Sequence, residues 1–158
     1  MENSNGVMIV VANHSAARIF SASHNHELKE IETLSCPEAR LYARELLSDS
    51  PTHIHDSVGA GRHAQEPRTQ IKDKIAQQFS DKIADWLEKS RVKQGFSQLV
   101  VVAPPDFLGM LRKSLTKPCR QLVVEEVHHN LVKSEMADII AVLPYSMQTL
   151  FNHNRTQA

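Results

Sequence analysis

Residues 67–103 read PRTQIKDKIAQQFSDKIADWLEKSRVKQGFSQLVVVA, and this stretch decides the architecture. Pro67 suits the first turn of a helix, where its missing N–H has no intrahelical partner to lose. From Arg68 to Gln94 neither Gly nor Pro interrupts the chain. Ile71, Ile75, Phe79, Ile83, Trp86 and Leu87 recur at three- and four-residue spacing, which predicts one apolar stripe on a long helix. Gly95 supplies the stop. Gln98 to Ala103 is then a short β-branched run, read as a buried strand that Pro104-Pro105 ends.

Working outward, the same alternation continues. Asp106 to Leu115 predicts a helix, Gln121 to Val124 a strand, and Ser134 to Leu143 a helix with Ser134 as N-cap and Glu135 and Asp138 in its first turns. The last residues, FNHNRTQA, read as a frayed tail. Towards the N-terminus, Val7 to Val11 (VMIVV) is a buried strand, and Asn13-His14-Ser15 is turn chemistry. Arg18-Ile19-Phe20 predicts a second strand hairpinned to the first, and Leu28 to Leu34 a third, half-exposed one. Cys36-Pro37 ends this antiparallel meander. Leu41, Leu46 and Leu47 fit a short helix, and 48–67 is polar, irregular and glycine-containing. The order is β-β-β-α-β-α-β-α: an α/β fold with a mixed five-stranded sheet and helices packed on its faces.

Composition sets the frame for function. The 158 residues suit one domain, with a core over about 7–143 and a C-terminal tail over 144–158. Lys+Arg and Asp+Glu both number 18, so bulk charge points to neither nucleic acid nor membrane, and an electrostatic partner must meet a local patch. Two cysteines, Cys36 and Cys119, build neither a disulfide framework nor a four-ligand zinc site and fit a reducing compartment. No apolar run approaches the ~20 residues of a membrane span. The first residues carry no basic n-region, so a cytoplasmic location is expected.

The element order matches the ribonuclease H-like topology. Nucleases of that fold converge carboxylates from the first strand, the first helix and the end of the fourth strand on two divalent metals. Here Val7 to Ala12 and Leu99 to Ala103 contain no acid, Asp106 follows two prolines, and Glu125 and Glu126 are adjacent and so point to opposite faces. A metal-dependent nuclease is therefore not expected.

The densest local chemistry is 53–67, His53-Ile54-His55-Asp56-Ser57-Val58-Gly59-Ala60-Gly61-Arg62-His63-Ala64-Gln65-Glu66-Pro67. Gly59 and Gly61 permit close backbone approach, while Arg62, His63 and Gln65 add a fixed cation, a titratable ring and an amide. The following helix carries Arg68, Lys72, Lys74, Lys82, Lys89, Arg91 and Lys93 against Asp73, Asp81, Asp85 and Glu88, a local excess of 7 − 4 = 3 positive charges. A glycine loop feeding a basic helix start is chemistry for phosphates. Plainer readings stand beside it: His53, His55, Asp56 and His63 as metal ligands or as solvated loop, and Phe79 and Trp86 as core or as stacking platforms. His128-His129 and Cys36 carry no partner in sequence that makes a site.

The segments VVANHSAARIFSA, HDSVGAGRHAQEP, LVVVAPPDFLGMLRKSL and HHNLVKSEMADI resemble the bacterial host-attachment protein family, proteins required for attachment to host cells, over about Val7 to Leu143. That family is similar to the middle domain of archaeo-eukaryotic peptide-chain release factors and the Pelota rescue factor. The resemblance implies a ribonuclease H-like fold and a ribosome- or tRNA-binding role in translation, without cofactor or metal. Release factors carry a Gly-Gly-Gln loop between the third strand and the long helix. The corresponding stretch here reads Gly-Ala-Gly-Arg-His-Ala-Gln, Gly59 to Gln65. By that resemblance Gly59, Gly61, Arg62, Arg68 and Lys72 are the RNA-binding candidates. Gln65, positioning water, and His63, handling a proton, are the catalytic candidates for peptidyl-tRNA ester hydrolysis. The alternative is a non-catalytic protein-interaction module with an unidentified protein partner, acting directly or indirectly in attachment.

Overall fold

A computed structural model describes the backbone of residues 6–22, 27–49 and 61–153, with side chains described throughout except at 46–49, 61–66 and 153. Among these residues five strands form one sheet: β1 (Val7–Ala12), β2 (Ala16–Ala22), β3 (Leu28–Ser35), β4 (Gln98–Val102) and β5 (Val123–Val127), in the order β3-β2-β1-β4-β5. β2 pairs antiparallel with both β1 and β3. β1 runs parallel to β4, in register from Val7↔Gln98 to Val11↔Val102, and β4 runs parallel to β5. Four strands therefore point one way and β2 alone opposes them. The predicted meander and the predicted parallel pair meet at β1.

Alternation along the central strands sends side chains to two cores. Met8, Val10, Leu99 and Val101 pack beneath α2 (Gly61–Lys93), α3 (Pro105–Ser114) and α4 (Lys117–Gln121). Ile9, Val11, Val100 and Val102 pack against α5 (Met136–Ala141) and α6 (Tyr145–His153). The molecule is a three-layer sandwich, with α1 (Pro37–Asp49) resting beside α2 through Ala39. Ser80, fully buried on α2, meets Ser114 of α3 at 2.5 Å, and Ser114 Oγ donates to Asp81 Oδ1 at 2.8 Å.

The structure departs from the sequence expectations at several ends. α2 begins at Gly61 instead of Pro67, and α1 runs on to Asp49, so the stretch between helices is shorter than 48–67. Pro67 lies inside α2, which proceeds past it with one ladder bond missing. Residues 117–121 form α4 because the Thr116 hydroxyl caps Cys119 N–H and Pro118 sits in the first turn, so β5 starts at Val123 instead of Gln121. Glu135, not Ser134, occupies the N-cap position of α5, since Ser134 N–H already closes a turn on the Leu131 carbonyl. The tail expected to fray begins inside α6, whose Met147 and Phe151 are buried. Gly95 does end α2, with φ 74° and its N–H on the Ser90 carbonyl.

α2 is also longer than the sheet beneath it. Its 33 residues span roughly 50 Å against roughly 17 Å for the five of β4. The apolar stripe seats only from Ile75 and Ala76 onward, and Ile71, expected in the core, is 48% exposed. Residues 67–74 are exposed all round, so the start of α2 overhangs the sheet core.

At the other end of α2, Glu88 fastens the helix to α4. Its carboxylate accepts both Arg91 guanidinium N–H groups at 2.8 Å, the Thr116 hydroxyl at 2.9 Å and the Cys119 thiol at 3.3 Å. The Arg91 and Thr116 bonds hold the carboxyl down to about 2 from an ordinary 4.5. A depressed carboxyl stabilises the fold above its unfolded value and loses that contribution as pH falls through its folded one. Glu88→Gln is thus expected to weaken the protein at neutral pH, with the gap to wild type closing between about 4.5 and about 2. Urea midpoints across that window check it, and a gap that stays constant contradicts it.

Candidate functional site

Because β1, β3, β4 and β5 share a direction, their C-terminal ends line one edge of the sheet. From the middle of that edge the chain leaves β1 towards β2 and β4 towards β5, on opposite sides. Such a point in an α/β sheet opens a crevice between the two outgoing connections. The residues there are Asn13, His14 and Ser15 after β1, and Pro104, Pro105 and Asp106 after β4. α2 runs back along β4 through the tight Gly95 connection, so its overhanging start reaches the same edge.

The β1–β2 turn is held by Asn13, whose Oδ1 accepts from Ser15 N (2.9 Å), Ser15 Oγ (3.0 Å) and Ala16 N (3.0 Å). Its Nδ2 donates to Asn130 Oδ1 at 3.1 Å, tying the turn to the segment after β5. His14, thus presented, sets Nε2 3.0 Å from Asp106 Oδ2 and rests its ring on the fully buried Phe107, centroids 5.3 Å apart. The pair joins the two central parallel strands at the crevice.

Beside this pair lies a cavity of about 270 Å³, walled by His14 and Ser15, by Ala39 and Tyr42 of α1, and by Lys72 and Ile75 of α2. Tyr42 donates its hydroxyl to the Arg68 carbonyl at 3.0 Å, closing α1 onto the base of the overhang. Two candidates from the sequence, Arg68 and Lys72, are therefore brought to the histidine edge. Gly61, Arg62, His63 and Gln65 fall in the first turns of α2 as backbone, and their side chains lie outside the described residues. Gly59 lies outside them altogether, as do His53, His55 and Asp56.

The pairing of His14 with Asp106 is what sequence reasoning missed. Asn13-His14-Ser15 reads as a turn and Asp106 as a helix start, and only the parallel pairing of β1 with β4 makes them neighbours. The signal was a polar triplet, Asn13-His14-Ser15, immediately after one β-branched strand, and an acid, Asp106, just past the two prolines that end the other. Glu125 and Glu126 do diverge: Glu126 binds Arg112 of α3 through both oxygens, while Glu125 faces α6. Cys36 and Cys119 are buried thiols whose pKa values burial pushes up. Among the described residues no three His, Cys, Asp or Glu side chains converge as a metal site, and no helix is long and apolar enough to cross a membrane.

A family model described as "protein required for attachment to host cells" matches residues 8–143. The chain belongs to this family. The fold of this chain is also similar to part of a solved archaeal translation termination factor, aRF1, which superposes with a TM-score of 0.57 at 10% identity, over 99% of this chain and 39% of that one. A second solved structure, described as an archaeal protein, gives 0.54 at 10% identity over 97% of this chain and 38% of that one. This host-attachment family chain thus spans about 39% of aRF1, and at such identity the likeness is one of fold. No curated protein matches the sequence.

Proposed function

We propose that the chain is a cytoplasmic, translation-associated module that binds the ribosome or tRNA through 53–67 and the overhanging start of α2. The observation that carries this reading is the overhang itself. Arg68, Lys72 and Lys74 stand on exposed helix beyond the core, with no ion pair among the described residues, whereas Lys89 and Arg91 further along are paired with Asp85 and Glu88. An exposed basic stretch of helix beyond the sheet core suits a phosphate-lined crevice. Family membership and the fold shared with a termination factor support the same reading. Any ester hydrolysis uses Gln65 to position water and His63 to handle the proton.

Sedimentation of lysate through sucrose tests it. The protein is expected to co-migrate with ribosomes at low salt and to dissociate as salt rises. Arg62→Glu with Lys72→Glu is expected to weaken co-migration about tenfold or more, and Gln65→Ala to abolish hydrolysis while sparing binding. Migration at the top of the gradient at every salt overturns the proposal.

The second reading is a non-catalytic protein-interaction module. Leu41 of α1 and Ile71 of α2, 58% and 48% exposed, favour it as apolar anchors beside the same edge. Surface labelling of intact cells separates the two, since strong labelling contradicts a cytoplasmic module.

A further inference from the structure

A second concavity lies on the far side of α1 from the His14 cavity, with Ser15 and Ala43 forming part of both. It encloses about 800 Å³ and is open to solvent. Arg40 and Arg44 of α1 and Lys133 from the β5–α5 turn line it, together with Ser15, Ser35 and Leu41. Arg40 and Arg44 are one helical turn apart, roughly 6 Å along the axis. No carboxylate lines the groove, and none of these three cations enters an ion pair among the described residues.

The walls are fixed before any ligand arrives. Arg18 donates to the Val132 carbonyl at 3.1 Å and the Ser134 carbonyl at 2.7 Å, so the turn presenting Lys133 is clamped on both sides. Cys36 N–H on the Ser15 carbonyl at 2.8 Å holds the start of α1 against the β1–β2 turn. Ser15 adds specificity. Two backbone N–H groups fix Asn13 Oδ1 as an acceptor, and the Ser15 hydroxyl spends its proton there as well. What Ser15 turns to the groove is therefore lone pairs, an acceptor among three cations. Phosphate and carboxylate oxygens have no proton for it, but a ribose 2′-hydroxyl does.

We infer that this groove, lined by Arg40, Arg44, Lys133 and Ser15, binds the sugar-phosphate backbone of RNA. The assignment rests on the nucleic-acid reading above for its occupant, yet it concerns residues outside 53–67 and α2. It gives the sheet edge a second RNA contact, on the opposite side of α1 from the first.

Fluorescence anisotropy of the full chain with a short labelled oligouridylate and its deoxy counterpart tests it. Arg40→Ala, Arg44→Ala and Lys133→Ala together are expected to weaken RNA binding about tenfold or more. With roughly 0.7 counterions released per phosphate on a single strand, they also make the log–log salt slope about 2 shallower. Ser15→Ala is expected to lower RNA affinity towards that for DNA. An unchanged slope in the triple variant overturns the groove, and equal wild-type affinity for RNA and DNA overturns the ribose contact. Competition by polyglutamate as effective as by RNA, lost in the same variant, replaces RNA with an acidic protein. Wild-type protein that binds oligouridylate through these cations but does not co-sediment with ribosomes leaves the groove standing and removes the ribosome reading.

Discussion

Replacing Phe107 with alanine is expected to remove about 3–5 kcal/mol of folding stability, the range for truncating a buried aromatic. Phe107 is fully buried, with the tilted rings of Phe79 of α2 and His14 centred 6.1 and 5.3 Å from its own. The lost side chain leaves a void between two helices, the sheet and the β1–β2 turn, and close-packed interiors fill such voids only in part. Urea denaturation measures the loss. Against a typical total of about 5–15 kcal/mol this is a large share, and Phe107→Leu recovers part of the difference. A loss below about 1 kcal/mol with an unchanged denaturant slope contradicts the packing described here. His14 rests on the ring and Asp106 precedes it, so the variant also loosens the pair at the crevice before the protein unfolds.

Arg18→Ala carries the second large effect, about 2–3 kcal/mol, although the residue lies on a strand near the sheet margin. One guanidinium makes a two-pronged bond to Glu30 (3.0 and 3.1 Å), reaches the Val132 and Ser134 carbonyls and lies 5.2 Å over the Phe20 ring. Bonds to charged groups are worth about 1.5–3 kcal/mol, and truncation takes the donor from two part-buried carbonyls at once, while the exposed Glu30 keeps the Thr33 hydroxyl. At about 2–4 °C per kcal/mol for a chain of this size, the melting temperature drops by about 4–12 °C. Lysine restores little, since an ammonium cannot fork. A variant melting within about 1 °C of wild type contradicts this account. The Glu30 carboxyl, held below its usual range chiefly by the Arg18 bond, returns towards 4.5 in the variant.

Much of the fold was legible because burial writes itself into composition. VMIVV and QLVVV have both faces covered, and their unbroken β-branched runs say so. The stripe of α2 was equally plain, but periodicity says which face is apolar and not where the underlying sheet ends, which is how Ile71 came to be exposed. α4 was hidden because a five-residue helix has too few turns for a period. Its Thr116 cap and Pro118 were the available signs. α6 followed Pro144, with Met147, Leu150 and Phe151 at helical spacing, and was masked by the polar residues beyond it.

The site divided differently. Lys72 and Arg68 were found because helix charge is local in sequence. His14 with Asp106, and Lys133 with Arg40 and Arg44, were not, because strand pairing and crossover connections create those neighbourhoods. Turn chemistry also gave Asn13 and Ser15 a sufficient local explanation, which concealed that the same bonds orient the Ser15 hydroxyl.

The margins of the sheet bear on behaviour at high concentration. A margin strand offers unpaired N–H and C=O groups to any strand that comes by, including those of a second copy. Here β3 places Lys29, Glu30 and Glu32 along one margin and shifts register against β2 opposite Ile19 and Phe20, while β5 sets Glu125 and Glu126 on the other. Extending the sheet there brings like carboxylates together or breaks the hydrogen-bond ladder. The sandwich thus resists fibrillar association at its two flanks, by the same residues that complete its fold.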